Sequence, residues 1–395
     1  MNHDSHAWGP LAERYSNERP RRLLALDGGG IRGVLTLSIL KALEQKLGSP
    51  LWRFFDYIAG TSTGAIIAAG LARGMSVDDL LAFYRAAGPA MFQRSRFLER
   101  LNSLYRGGAL ERQLKDTFGE ATDLSAEHFK TLLLVVTQNV TTDSPWPISN
   151  NPFARYNVRQ PGCNLDIPLW KLVRASTAAP IYFPPEVVQF NESDDSQTFV
   201  FVDGGLTPYN NPAFLLYRFA THPAYRLNWR SGERHLLLVS VGTGAAPILG
   251  ASAEQPEGNM LRTGLSIPSA LMYGASVDQD INCRIVGRCT HGAVIDSELL
   301  DLIARTGSDE GSVAERLARP RVPLETDLGQ AFLYCRYNVD LSASGLAALG
   351  FPEVDPKSVQ RMDNTSAENL ATLFDLGNAA AKQVDRAHLG GFAPA

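Results

Sequence analysis

The chain has 395 residues, of which 45% are hydrophobic and 20% charged, and this composition is typical of a soluble globular protein. A formal net charge of -4 argues against bulk electrostatic binding of nucleic acid, so we expect no DNA or RNA partner. The four cysteines show no zinc-ligand spacing, and the sequence implies no metal and no organic cofactor.

The first 21 residues are polar and charged, which predicts a flexible arm and not a signal peptide. No apolar run reaches the roughly 18 residues that a membrane-spanning helix needs. We therefore expect a cytoplasmic protein that approaches any lipid substrate from the water side and is peripheral to the membrane when it acts.

Short apolar runs, several of them followed by glycines, predict a series of buried strands. These runs cover residues 23–26, 54–59, 132–137, 199–202 and 235–241. Helical patterns lie between them, at residues 34–47, 65–72 and 76–120. Strands that alternate with helices predict an α/β fold with a largely parallel sheet covered on both faces.

The chain divides into three predicted parts, which are an arm (1–21), a core (22–245) and an extension (246–395). Strand signals weaken in the extension, where several stretches look helical or loop-like. These stretches are residues 250–280, 294–305, 342–350 and 365–387. We expect an α-rich C-terminal extension that packs on the core.

The segment Gly-Thr-Ser-Thr-Gly lies between a predicted strand and a predicted helix, the context in which a G-x-S-x-G turn exposes a serine hydroxyl. Gly60 and Gly64 permit the sharp turn and the close approach of the helix, while Thr61 and Thr63 flank the serine. We interpret Ser62 as a nucleophile that needs a nearby base.

The segment Asp-Gly-Gly-Gly-Ile-Arg-Gly follows the first predicted strand. Backbone N–H groups of Gly28, Gly29, Gly30 and Gly33 are candidates for an oxyanion hole at the start of a helix. Arg32 could hold this loop, attract an anionic substrate or form an ordinary salt bridge. The same glycines match a dinucleotide-binding motif, but the serine turn stands where that motif needs an acidic residue.

Asp203 ends the predicted strand 199–202 and is followed by Gly204 and Gly205. A carboxylate at the end of a strand, above a parallel sheet, should share a face with Ser62. We therefore predict a dyad in which Asp203 accepts the serine proton directly. An Asp-Gly turn without catalytic function is the plainer alternative.

A Ser-His-Asp triad is another alternative, because histidines follow Asp203 in the chain. His222 precedes a proline in a polar stretch, His235 opens an apolar strand and His291 follows Cys-Thr. None lies in a convincing catalytic loop, so the dyad remains the preferred interpretation.

The ordered set of these three glycine-bearing segments resembles the patatin-like phospholipase family. So do Arg-Ala-Ser-Thr-Ala-Ala-Pro at 174–180, Tyr-Phe-Pro-Pro at 182–185 and Ser-Val-Gly-Thr-Gly at 240–244. The resemblance covers residues 22–245 and implies a three-layer α/β/α sandwich. It also implies Ser62 as nucleophile, Asp203 as base and the glycine run at 28–33 as oxyanion hole.

This resemblance implies a lipid acyl hydrolase that acts on a phospholipid membrane surface. Residues 331–339 and the tail after them are similar to the tails of bacterial patatin-like proteins, one subgroup of which acts in antiviral defence and is activated by cyclic dinucleotides. A soluble esterase or thioesterase with the same dyad, and a nucleotide-binding module that uses the glycine run, are the alternatives. The sequence leaves the oligomeric state open, a dimer included.

Overall fold

The computed structural model describes residues 5–91, 107–180, 182–245, 260–293 and 330–394. Within these ranges nine strands form one mixed sheet. In chain order the strands are β1 Arg21–Leu26, β2 Tyr57–Thr61, β3 Leu132–Asn139, β4 Ser144–Ser149, β5 Glu186–Gln189, β6 Thr198–Asp203, β7 Leu236–Val241, β8 Arg288–His291 and β9 Leu333–Tyr337.

The described helices connect and cover these strands. Their bounds are α1 Ser5–Trp8, α2 Ala12–Tyr15, α3 Gly33–Leu47, α4 Leu51–Phe54, α5 Thr63–Arg73, α6 Val77–Met91, α7 Gly107–Phe118, α8 Leu169–Ser176, α9 Ala213–Thr221, α10 Met260–Val286, α11 Ala343–Ala348, α12 Pro356–Gln360 and α13 Ala367–Ala381. No helix within the described ranges is long and apolar enough to cross a membrane.

Alternate residues of β1 face opposite sides of the sheet, as the two-residue period of a strand requires. Leu24 and Leu26 belong to one hydrophobic core, whereas Leu23 and Ala25 belong to a second. Helices α3, α5, α6, α7, α8 and α13 cover the first core, and the N-terminal segment, α9 and the end of α10 cover the second. The fold is therefore a three-layer α/β/α sandwich, which confirms the predicted fold class.

Strand β3 carries two strands end to end along one of its edges. β4 pairs with residues 134–139 of β3, so β2 and β6 must share the other edge. β2 runs parallel to β3 and ends at Thr61 beside Val136. β6 runs antiparallel and ends at Asp203 beside Thr137. The C-terminal ends of β2 and β6 therefore face each other.

The direction of β6 differs from the prediction. The sequence predicts Asp203 at the end of a strand in a largely parallel sheet, but β6 is antiparallel to β3. Periodicity and composition carry no information on strand direction, which depends on long-range pairing. Asp203 reaches the serine turn because β6 approaches β2 from the opposite direction.

The N-terminal segment is packed, and the prediction of a flexible arm is wrong for its described part. Trp8, Leu11 and Tyr15 are buried in the second core. The Tyr15 hydroxyl donates to the carbonyl of Asp56 at 2.6 Å and accepts the N–H of Leu132 at 3.0 Å. These three side chains lie in a segment that is otherwise mostly polar, and so few apolar residues do not produce a recognisable helical pattern. The composition therefore predicts a flexible arm.

The second strand begins later than predicted. The apolar run at 54–59 starts in α4, which follows Pro50, and β2 covers Tyr57–Thr61. Phe54 packs in the first core as the end of that helix. An apolar run of this length does not distinguish a short helix from a buried strand.

The C-terminal extension contains the predicted helices α11 and α13, but it also adds two strands to the sheet. All five residues of β9 are buried, and the strand lies between β7 and β8. Arg336, the fourth of its five residues, interrupts the apolar pattern, which hid this strand in the sequence. The predicted helix at 294–305, and parts of the predicted stretches 76–120 and 250–280, lie outside the described residues.

A buried ion pair joins β9 to the end of β1. The guanidinium of Arg336 donates from Nη1 to Oδ1 of Asp27 at 2.8 Å and from Nη2 to Oδ2 at 2.5 Å. Nη1 also donates to the hydroxyl of Ser240 on β7, at 2.6 Å. Since Asp27 directly precedes the glycine run, this pair fixes the C-terminal region to the start of that run.

Replacement of Arg336 by methionine should destabilise the fold strongly, because it leaves the Asp27 carboxylate buried without its partner. We expect Arg336→Met to lower the free energy of unfolding by about 3–5 kcal/mol. Arg288→Met, on the neighbouring strand β8, is the matched control, since it removes a surface pair with Glu233 in the segment before β7 and should cost at most about 1 kcal/mol. Urea unfolding measures both, and equal losses would contradict a structural role for the buried pair.

Candidate active site

Ser62 lies in a strained turn between β2 and α5. Its backbone has φ 54° and ψ -121°, a conformation that residues with a side chain adopt rarely. A Cβ on Gly60 would lie 2.1 Å from the carbonyl oxygen of Gly64, and one on Gly64 would lie 2.3 Å from that of Leu26. Both positions therefore require glycine, as the motif predicted.

The flanking threonines fix this turn to its surroundings. The Thr61 hydroxyl donates to the carbonyl of Tyr209 at 2.7 Å, and the Thr63 hydroxyl bonds to the hydroxyl of Tyr84. Tyr84 also donates to the Thr63 carbonyl at 3.1 Å. These contacts hold the strained residue between two anchored neighbours.

The structure brings Ser62 and Asp203 into direct contact. The Ser62 hydroxyl donates to Oδ2 of Asp203 at 2.6 Å, and Oδ1 accepts the N–H of Gly205 at 2.7 Å. Gly204 is also constrained, since a Cβ there would lie 2.2 Å from the carbonyl oxygen of Val136. Both carboxylate oxygens are thus held, with one directed at the serine proton.

The histidines of the alternative triad have other contacts. His222 accepts the N–H of Ala224, and His291 stacks on His388 at 4.2 Å between ring centroids. His235 precedes β7, at the N-terminal end of the parallel strands, whereas Ser62 follows the C-terminal end of β2. Within the described ranges, neither Ser62 nor Asp203 is hydrogen-bonded to a histidine.

The protonation behaviour of Asp203 suits a base at physiological pH. Burial raises the pKa of this carboxyl to about 6, while the bond from Ser62, the N–H of Gly205 and the charge of Arg174 oppose the increase. A carboxylate with a pKa near the working pH accepts a proton more readily than an exposed aspartate does. The geometry therefore permits direct proton transfer from serine to aspartate.

The glycine run contacts the serine turn, and its N–H groups differ in their availability. The N–H of Gly28 donates to the carbonyl of Asn210 at 3.0 Å. Gly33 donates to the Gly30 carbonyl as α3 begins. The N–H groups of Gly29 and Gly30 have no acceptor among the described residues. Of the four glycines predicted to supply oxyanion donors, Gly29 and Gly30 are therefore the two whose N–H groups are not already bonded to described residues.

Close neighbours explain why this run consists of glycines. A Cβ on Gly28 would lie 3.3 Å from the Cβ of Ser62, and one on Gly29 would lie 2.1 Å from the hydroxyl of Thr243. Gly30 has φ +60°, which favours glycine. The Thr243 hydroxyl also donates to the Gly28 carbonyl at 2.8 Å, so the turn after β7 supports the run.

Arg32 forms no salt bridge with a described residue. Its Nε approaches the Gly29 carbonyl at 3.4 Å, and burial lowers its pKa to about 10. Of the roles considered for Arg32, an ordinary salt bridge is therefore not seen within the described part of the chain. Holding the loop and attracting an anion both remain as interpretations.

Two side chains of α8 affect Ser62 and Asp203, and the sequence pattern indicates no function for either. The hydroxyl of Ser176 accepts the N–H of Ser62 at 2.9 Å and donates to the Val136 carbonyl at 2.6 Å. Arg174 is buried, donates from Nη2 to the Pro184 carbonyl at 3.0 Å and lowers the pKa of Asp203. Their motif, Arg-Ala-Ser-Thr, was part of the resemblance, but nothing in it indicates which groups they contact.

No group of three or more His, Cys, Asp or Glu side chains that could hold a metal ion occurs within the described ranges.

The family model for patatin-like phospholipases matches residues 24–217, a range that contains both Ser62 and Asp203. The cUMP-AMP-activated phospholipase of Escherichia coli is 31% identical over 243 residues, which are 60% of this chain and 69% of that protein. The intracellular phospholipase A2 of Caenorhabditis elegans is 31% identical over 57% of this chain and 20% of that protein. Patatin group M-3 of Solanum tuberosum is 28% identical over 56% of this chain and 60% of that protein.

The fold and the serine turn define the class, an α/β protein with a G-x-S-x-G turn between a strand and a helix, and the matches specify its family. The chain belongs to the patatin-like phospholipase family. The matched region spans about a fifth of the nematode enzyme and about three fifths of the potato protein.

Burial of Asp203 should set the pH dependence of the reaction, and the charge of Arg174 should modulate it. We expect the rate on a soluble ester to fall as the pH drops through about 6, because only the ionised Asp203 accepts the serine proton. Arg174→Gln removes a positive charge that favours ionisation of Asp203, so the midpoint should move up, by at most about one unit. Arg174→Lys and the matched control Lys171→Gln, on the same helix, should leave the midpoint near that of the wild type. An unshifted midpoint in Arg174→Gln would show that Arg174 acts only in packing.

Ser176 should act as a positioning residue for the nucleophile. Ser176→Ala leaves the buried N–H of Ser62 without an acceptor, which costs about 1–3 kcal/mol and weakens the strained turn. We expect kcat to fall about tenfold or more with KM little changed, and labelling by a fluorophosphonate probe to slow in parallel. Ser176→Thr keeps a hydroxyl and should restore much of the rate. Full activity in Ser176→Ala would contradict this role.

Proposed function

We propose that this protein is a lipid acyl hydrolase of the phospholipase A type, which cleaves fatty-acyl esters of membrane phospholipids with a Ser62–Asp203 dyad. The observation that carries the proposal is the 2.6 Å hydrogen bond from the Ser62 hydroxyl to Oδ2 of Asp203. The family match and the phospholipase names of its relatives support lipid as the substrate class.

The proposed reaction has two halves. Ser62 Oγ attacks the ester carbonyl carbon and passes its proton to Asp203, while the N–H groups of Gly29 and Gly30 stabilise the oxyanion. The intermediate collapses, Asp203 returns the proton to the leaving alkoxide, and a lysophospholipid departs. Asp203 then removes a proton from water, which attacks the acyl-serine ester. Collapse of this second intermediate releases the fatty acid and restores the serine hydroxyl.

We propose that the enzyme acts in the cytoplasm, at the water-facing surface of a membrane. The described part of the chain has no helix that could span the bilayer, and one relative is named an intracellular phospholipase. A soluble esterase or thioesterase with the same dyad is the alternative within the same chemistry. A nucleotide-binding module that uses the glycine run is the alternative without catalysis.

We also propose that a cyclic dinucleotide activates the enzyme, in a function connected with antiviral defence. The relative that supports this is the cUMP-AMP-activated phospholipase of Escherichia coli, of which this chain covers 69%. A phospholipase that acts on the membranes of its own cell needs such a restraint on its activity. Activation requires that the ligand bind the active state more tightly than the inactive one.

Hydrolysis of mixed phospholipid vesicles by the full chain tests the catalytic proposal, with and without a panel of cyclic dinucleotides. We expect fatty acid and lysophospholipid from the wild type, and losses of at least about a thousandfold in Ser62→Ala and in Asp203→Asn. The double variant should be little worse than either one, because the two residues act as a unit. His235→Gln is the control and should retain most of the rate.

The outcomes separate the alternatives. Hydrolysis of short-chain esters without hydrolysis of vesicles would indicate the soluble esterase. Substantial activity in Asp203→Asn would contradict the dyad. Nucleotide binding without any hydrolysis, unchanged in Ser62→Ala, would indicate the binding module.

A further inference from the structure

A cavity of about 400 Å³ lies beside the glycine run but is separate from the dyad. Gly28 and Arg32 form part of its wall, Ser276 of α10 another part, and residues from Lys357 to Asp363 a third part. Neither Ser62 nor Asp203 lines it. The cavity is therefore distinct from the dyad, and Gly28, which precedes the two proposed oxyanion donors, forms part of its wall.

Among the described residues, the charged side chains around this cavity have an excess of positive charge. Four of them are basic, and the acidic ones are Asp27 and Asp363. Asp27 is paired with Arg336, and Asp363 is paired with Arg361. Arg32 and Lys357 form no salt bridge with a described residue, which leaves two cations to face the cavity. Arg32 belongs to the glycine run and Lys357 to the C-terminal region, so a ligand that contacts both would connect these two parts of the chain.

Burial makes Arg32 the more informative of these two cations. Its pKa is lowered to about 10 because the surroundings disfavour the charged form, and the charge of the already paired Asp27 offsets this only in part. A bound anion would supply the missing countercharge. Lys357 is exposed and adds a second, mobile cation at the same cavity.

The wall formed by the C-terminal region is bonded directly to the glycine run. The carbonyl of Met362 accepts the N–H of Ile31 at 2.9 Å, and a Cβ on Gly30 would lie 2.3 Å from that same carbonyl oxygen. Asn369 of α13 anchors the C-terminal end of this segment, because its Nδ2 donates to the carbonyl of the next residue, Asn364, at 2.7 Å. A change in the segment 357–363 would therefore move the turn that contains Gly29 and Gly30.

We propose that this cavity binds a phosphodiester, with Arg32 and Lys357 as its cationic contacts, and that the bound ligand fixes the segment 357–363 against the glycine run. Guanidinium and ammonium groups are the usual protein contacts for phosphate. Fixing the segment sets the position of the Gly29 and Gly30 donors. Better-placed donors should raise the rate of hydrolysis. This expected increase in rate rests on the proposed function, whereas binding of the phosphodiester does not.

Two sources could supply this chemistry, a soluble cyclic dinucleotide or the headgroup of a phospholipid. Titration calorimetry on the full chain carrying Ser62→Ala distinguishes them, since this protein does not turn over substrate. The probes are cyclic UMP-AMP, cyclic di-GMP and the soluble headgroup analogue glycerophosphocholine. Binding of a cyclic dinucleotide alone assigns the site to a soluble ligand, and binding of glycerophosphocholine alone assigns it to the lipid.

The variant Lys357→Glu, added to Ser62→Ala, tests the location of the site. We expect it to weaken binding of the preferred probe at least about tenfold, because it replaces a cation by an anion. Lys382→Glu is the matched control, an exposed lysine outside the cavity, and should bind as the parent does. Absence of binding by every probe, or equal binding by the two variants, would overturn the proposal.

A rate measurement with Ser62 intact tests the coupling to catalysis. The bound probe should raise kcat on a neutral short-chain ester in the wild type and in Lys382→Glu, but not in Lys357→Glu. Binding that depends on Lys357 without any change in kcat would refute the coupling. Loss of all hydrolysis with binding preserved would count against the proposed function alone, since calorimetry does not depend on turnover.

Discussion

The active site depends on one constraint in the sheet, which is that β2 and β6 share a single edge of β3. β4 occupies the opposite edge over residues 134–139, so the two strands can only follow one another. Their C-terminal ends meet, and Ser62 and Asp203, 141 positions apart in the chain, come within hydrogen-bond distance. The position of the Asp203 carboxylate and the short bond that it accepts from Ser62 both follow from that meeting.

In the proposed dyad, burial of Asp203 replaces the histidine of a triad. Burial raises the pKa of this carboxyl to about 6, so the proposed mechanism transfers the serine proton to Asp203 without a relay. α8 adjusts both partners, because Ser176 binds the N–H of the nucleophile and Arg174 favours ionisation of the base. The C-terminal end of α8 therefore contributes both to the position of the Ser62 turn and to the ionisation of Asp203.

The C-terminal region is part of the machinery around the glycine run and not only a layer on its surface. Arg336 of β9 holds Asp27, the residue before the run, and Met362 holds Ile31 within it. The glycine run is therefore held just before its first glycine and again at Ile31 by residues more than 300 positions away in the chain. Because Met362 also lines the cavity beside the run, a ligand bound there could shift the position of the proposed oxyanion donors.

The sequence by itself determined the local features: the glycines at 60 and 64, the glycine run, and most strands and helices of the core. These follow from steric rules and periodicity within a few residues, so a short window of sequence contains them. Only the tertiary structure decided the direction of β6, the burial of Tyr15, the place of β9 in the sheet and the contacts of Arg174 and Ser176. Each of these depends on which distant segments pair and exclude water, and the free energy of that pairing is shared among residues that no local pattern connects.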